Sequence, residues 1–134
     1  MPSSNILLTG AAGIVGTAIR PLLAEQYEQV VLTDITEISD LAPKETFEAG
    51  DIANPDFVSK ISNSVNGIVH LAGMVGANYT FDEVLGANIV GTQNVFEAAR
   101  QNGVRQVVYA SSHHAVGFVP RGQFIDHTTA HRPD

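Results

Sequence analysis

The chain has 134 residues, about one domain's worth, and its 44% hydrophobic and 16% charged content is that of a folded globular protein rather than a disordered one. A net charge of −7 with no cluster of lysine or arginine offers no basic face for phosphates, which argues against a nucleic-acid partner. No apolar run reaches the ~18 residues of a membrane helix, the N-terminal MPSSN lacks the basic region of a secretion signal, and the absence of cysteine removes disulfide and thiolate chemistry, a composition that suits the cytoplasm.

Residues 5–9, NILLT, are a continuous apolar run and read as a short buried strand. Residues 14–26, IVGTAIRPLLAEQ, set Ile14, Ala18 and Leu22, and again Ile19 and Leu23, at helical spacing; Pro21 within that pattern removes a backbone donor and predicts a kink. QVVLTD (29–34) is a second strand, ITEISDLAPKE a polar connection, and TFEAGD (46–51) a weak third strand. In NPDFVSKISNSV (54–65), Asn54 is placed to cap a helix whose first position is Pro55. GIVHLAG (67–73) reads as a fourth strand with His70 as a core histidine, and the longest helical stretch runs from Phe81 to Gln101 and stops before Asn102-Gly103. That helix bears apolar residues on more than one face (Val84, Leu85, Ile89, Val90, Val95, Phe96), which suits either a subunit contact in a homo-oligomer or an ordinary core helix. VRQVVYASS (104–112) is a fifth strand, and no periodicity follows from His113 to Asp134. Apolar strands alternating with helices predict an α/β fold, a parallel sheet covered on both sides, in one domain over 1–134.

The first strand leaves through glycines at 10, 13 and 16. Gly10 suits a tight strand-to-helix turn, Gly13 leaves room for a diphosphate at the helix N-terminus, and Gly16 lets the helix pack closely. A plain tight turn explains such glycines as well, but the second strand ends in Asp34, 18 residues after Gly16, near the spacing of a ribose-binding carboxylate. Asp34 accepts ribose hydroxyls and repels a 2′-phosphate, and no lysine or arginine follows it before Lys44, so the expected cofactor is NAD rather than NADP; an ordinary loop acid is the alternative.

The spacing TGAAGIVG (Thr9–Gly16) resembles the extended short-chain dehydrogenase/reductase family, the NAD-dependent epimerase/dehydratase group, along the whole chain. GDI (50–52) is similar to the family's adenine site, HLAG (70–73) to the segment lining the cofactor, NIVGT (88–92) to the helix motif whose Asn88 steadies the neighbouring strands, and YASSHHAVG (109–117) to the strand-five segment in which Ser112 is catalytic. The resemblance implies a Rossmann-type doubly wound sheet truncated after its fifth strand. It implies NAD contacts from Gly10, Ala12, Gly13, Ile14, Val15, Gly16, Asp34, Ile35, Asp51, Ile52, Leu71, Ala72, Gly73 and Asn88. Within the group, ASSHHAVGF and the later RPD are most similar to uronate dehydrogenases, which implies a small-molecule sugar or sugar-acid substrate oxidised at its anomeric carbon to a lactone, facing Val75, Ser112, His113 and His114. Val75 belongs to the departure Met74-Val75-Gly76, where a substrate-binding hydroxyl side chain is expected. A nucleotide-sugar epimerase is the nearest alternative.

The family's base is a tyrosine whose phenol, with an ordinary pKa of ~10, is made useful by a lysine four residues on. Here Tyr27 is followed at that distance by Val31, Tyr79 by Glu83 and Tyr109 by His113. The chain is therefore expected to be the first half of such an enzyme, inactive alone and with an open sheet edge, or a non-catalytic NAD-binding module or remnant. Asp126, His127 and His131 have a metal-ligand spacing only on a helix, and DHTTAHRPD shows no helical pattern, so no metal is expected. Without the resemblance, Ser111 and Ser112 read as polar residues capping a strand end rather than as catalytic groups, since no base is in reach by sequence.

Overall fold

The computed structural model describes residues 4–76, 78–117 and 119–130. Strands β1 (Asn5–Thr9), β2 (Gln29–Asp34), β3 (Glu45–Ala49), β4 (Gly67–His70) and β5 (Gln106–Tyr109) form one parallel sheet in the order β3-β2-β1-β4-β5. The chain builds outward from β1 to β3, then crosses back to β4 on the other side of β1. That reversal opens a crevice at the carboxyl ends of β1 and β4, the place where doubly wound sheets bind ligands.

Alternate residues of β1 explain why both faces are covered. Ile6 and Leu8 pack with Val30 and Leu32 under helix α1 (Ile14–Gln26), whereas Leu7 joins Ile68 beneath α2 (Pro55–Ser62) and α4 (Thr92–Gln101), through Val58, Ile61, Val95 and Ala98. Of the two apolar lines on α1, Ile19 and Leu23 face the sheet, while Ile14 and Leu22 are exposed; the helix continues through Pro21. Asn54 caps α2 by accepting from the Asp56 and Phe57 amides, with Pro55 at the first position.

The connection from β2 to β3 is tied to α1 by charge. Arg20, buried on α1, donates to both carboxylate oxygens of Glu45 at 3.1 and 2.7 Å and to the Asp40 carbonyl at 2.9 Å, while Lys44 donates to the Ala24 and Tyr27 carbonyls at the end of α1. The Arg20 guanidinium holds the Glu45 carboxyl below its ordinary range.

Four expected elements need correction. The fourth strand ends at His70 rather than Gly73, because the ladder stops where the Ala72 amide donates to the Thr9 hydroxyl at 3.2 Å instead of to a backbone carbonyl. The helix over 81–101 is not uniform: α3 (Phe81–Val84) passes into a seven-residue π-helical segment, Leu85–Gly91, before α4. The strands expected over 46–51 and 104–112 run over 45–49 and 106–109, and a single 3-10 turn, His113–Val116, follows. Among the described residues no helix is long and apolar enough to cross a membrane.

Candidate functional site: a cleft at the crossover

Gly10 begins the site with a φ of 71°, a left-handed conformation that a side chain disfavours; a Cβ there would also lie 2.6 Å from the Ala72 nitrogen. The turns after β1 and β4 thus meet backbone to backbone and floor a cleft of about 530 Å³. Gly13 is the N-cap of α1, with no side-chain cap and no acidic residue in the first turn. The amides and dipole of that first turn are therefore available to an anion. Gly16 is buried under the turn, where a Cβ would collide with the Gly10 carbonyl; it lets α1 start close against the turn without lining the cleft.

Asp34, at the end of β2, is oriented by two backbone donors. Its Oδ2 accepts from the Ala12 amide and its Oδ1 from the Thr36 amide, each at 3.0 Å, leaving further lone pairs on a carboxylate that lines the cleft. Ile35 is 68% exposed on the same wall. Across from it, Asp51 accepts from the Ala53 amide at 2.8 Å, and Ile52 borders the cleft with its side chain buried against Gly91, in the core. Asn94 fixes this corner by donating to the Ile52 and Ala53 carbonyls.

Leu71, Ala72 and Gly73 line the floor. Asn88, carried by the π-helical segment, grips the next residue at both ends: its Oδ1 accepts from the Met74 amide at 2.7 Å and its Nδ2 donates to the Met74 carbonyl at 2.9 Å. It steadies the loop after β4 rather than the strands expected from the sequence. The Asn88 oxygen would lie 3.2 Å from a Cβ on Gly73, so a glycine there keeps this approach open.

Sequence reasoning missed the far rim, formed by Tyr79, Asp82, Glu83, Gly86 and Ala87. A capping box at Thr80 and Glu83 was its available signal; Thr80 donors hold the Glu83 carboxyl below its ordinary range. Among the described residues, the cleft lining carries Asp34, Asp51, Asp82 and Glu83 and no lysine or arginine. Of the other expected cofactor contacts, Ile14 is 93% and Val15 58% exposed, outside the lining. Val75 and Ser112 are likewise exposed outside it, and the side chains of His113 and His114 lie outside the described residues. Phe118, His131 and the segment RPD (132–134) also lie outside them, and among the described residues no three potential ligands gather for a metal.

The residues present fit a dinucleotide: uncapped amides for a diphosphate, Gly10 and Gly13 lining the cleft beside them without side chains, and a carboxylate preset at the end of β2. Comparison with known proteins agrees with that geometry. Residues 7–132 match the model of the 3-beta hydroxysteroid dehydrogenase/isomerase family. The chain is 38% identical to uronate dehydrogenase of Pseudomonas syringae pv. tomato over 134 residues, 99% of this chain and 48% of that protein. A mutant uronate dehydrogenase from Agrobacterium tumefaciens, solved complexed with NAD, superposes with a TM-score of 0.90 at 34% identity, covering 98% of this chain and 49% of the other. The glucuronic acid dehydrogenase of Chromohalobacter salexigens does so at 0.90 and 40% identity, with 98% and 49% covered. The chain spans about half the length of the curated relatives it matches.

Proposed function

The chain belongs to the 3-beta hydroxysteroid dehydrogenase/isomerase family, and on that premise we propose that it is the NAD-binding portion of an oxidoreductase that oxidises a hexuronate at its anomeric carbon to a lactone. The observation that carries the cofactor half of this reading is Asp34, held by the Ala12 and Thr36 amides on the wall of a cleft whose described lining has no cation. The likeness to uronate dehydrogenases over nearly the whole chain supports the substrate half.

NAD supplies the hydride acceptor when bound. The amides at the start of α1, with Gly10 and Gly13, receive its diphosphate, and the Asp34 carboxylate accepts from the hydroxyls of the adenosine ribose. Asp51 accepts from the adenine amino group beside Ile52, and the Leu71–Gly73 floor, steadied through Asn88, supports the other end of the dinucleotide. Four carboxylates and, among the described residues, no compensating cation in the lining disfavour the extra charge of a 2′-phosphate. Ser112 donates a hydrogen bond to the reacting hydroxyl, and Val75, His113 and His114 contribute to recognition of the sugar acid. No tyrosine of this chain has a lysine four residues on, so the base that takes the hydroxyl proton comes from outside these 134 residues, and the chain alone binds NAD without turnover.

The test is to titrate the protein carrying this chain, at the full length its source produces, with NAD and then with galacturonate or glucuronate. Accumulating NADH supports the reading. NAD binding with sugar-nucleotide interconversion and no net NADH points to an epimerase instead, because an epimerase returns its hydride, and overturns the substrate half.

A further inference from the structure

His70 is fully buried, yet both ring nitrogens are engaged. Nδ1 lies 2.7 Å from the Thr9 hydroxyl at the end of β1, and Nε2 lies 3.0 Å from the Thr92 hydroxyl at the start of α4. The ring stacks on Tyr109 of β5, with centroids 5.3 Å apart and planes at 23°. The same Thr9 oxygen accepts from the Ala72 amide at 3.2 Å, at the point where β4 turns into the floor of the cleft. One imidazole therefore connects the ends of β1, β4 and β5 with the first turn of α4.

A hydroxyl oxygen accepts twice, so the Ala72 amide by itself leaves both ring tautomers open, and the proton of the buried Thr9 hydroxyl decides between them. Among the described residues Nδ1 is the acceptor within hydrogen-bond distance of that buried hydroxyl, so the Thr9 proton points at Nδ1, which then carries a lone pair and leaves the ring proton on Nε2, donated to Thr92. Burial drives the ring toward its neutral form, which this order requires. A rotating hydroxyl thereby becomes an acceptor of fixed direction beneath Ala72, whose nitrogen is also the atom that meets the Gly10 turn.

We propose that His70 is a positioning residue for the cleft: as the Nε2–H tautomer held by Thr92, it orients the Thr9 hydroxyl and through it sets the backbone of Ala72 and Gly73. The proposal rests on the NAD reading only where NAD binding is the readout.

The experiment is a long-range nitrogen–proton correlation spectrum of the histidine rings, with His70→Asn to assign the signal, followed by Thr9→Val and Thr9→Ser. The expected result is a pyridine-type Nδ1 and a protonated Nε2 at neutral pH. Thr9→Val then speeds hydrogen exchange at the Ala72 amide about tenfold and weakens NAD binding about tenfold, while Thr9→Ser keeps both within about twofold. A protonated Nδ1, or a folded Thr9→Val with unchanged Ala72 exchange and NAD affinity, overturns the proposal. If the unaltered protein binds no NAD, the cofactor reading falls and the tautomer with the Ala72 exchange decides this one. If Thr9→Val does not fold, the tautomer decides alone.

Discussion

A methyl group at position 10 has nowhere to go: it would meet the Ala72 nitrogen at 2.6 Å from a backbone held at a φ of 71°. Gly10→Ala is expected to lose roughly 3 kcal/mol or more, combining backbone strain with a clash against main chain that has no rotamer to yield, as a shifted urea midpoint reports. His70 gives a pH signature. Burial lowers its pKa from 6.5 to about 4, so the unfolded chain binds the proton first. The sign follows: the folded state keeps its full advantage above the ordinary value and loses on the order of 3 kcal/mol as pH falls through that window. His70→Asn flattens the slope between about pH 6.5 and 5, above the range where Glu45 contributes its own acid sensitivity. The turn glycines and Asp34 were legible in the sequence because backbone freedom and strand-end spacing are local properties. Thr9, Thr92 and Asn94 were not, since each acquires its role from partners more than twenty residues away.

Elements hold these residues in place, and their ends matter more than their middles. The first turn of α2 depends on Asn54, which accepts two amides; Asn54→Ala is expected to lower stability by about 1 kcal/mol in thermal or chemical unfolding. The β2–β3 connection depends on the Arg20–Glu45 pair, and Glu45→Gln leaves a buried guanidinium half-answered, at a cost of about 3 kcal/mol. Strands and helices were readable from apolar runs, the Asn54-Pro55 start and the Asn102-Gly103 stop, where Gly103 takes a φ of 69°. The π-helical segment was not, because helical periodicity does not mark one extra residue per turn; its consequence is that Asn88 reaches Met74.

At the scale of the whole molecule, the sheet is covered on both faces at β1 and, among the described residues, left uncovered along β5. Val108 and Tyr109 are 51% and 43% exposed there, with Phe96 packed edge-on to Tyr109 at 6.0 Å. A protein limited to residues 1–134 is expected to self-associate as its concentration rises, because an unpaired apolar strand edge templates further pairing. Sedimentation that stays monomeric across the range would contradict this. The doubly wound order was legible in the alternation of apolar strands and helices; the acidic rim was not, because Tyr79, Asp82 and Glu83 reach the cleft only once α3 is folded over it. On the proposed reading, the cleft accepts a dinucleotide and refuses a second phosphate at its ribose. A calorimetric titration with NAD and NADP side by side tests that most directly. Binding of NAD at least about tenfold tighter than NADP is the expected result, from a carboxylate facing the ribose with no cation to offset it; equal affinities, or a preference for NADP, would contradict it.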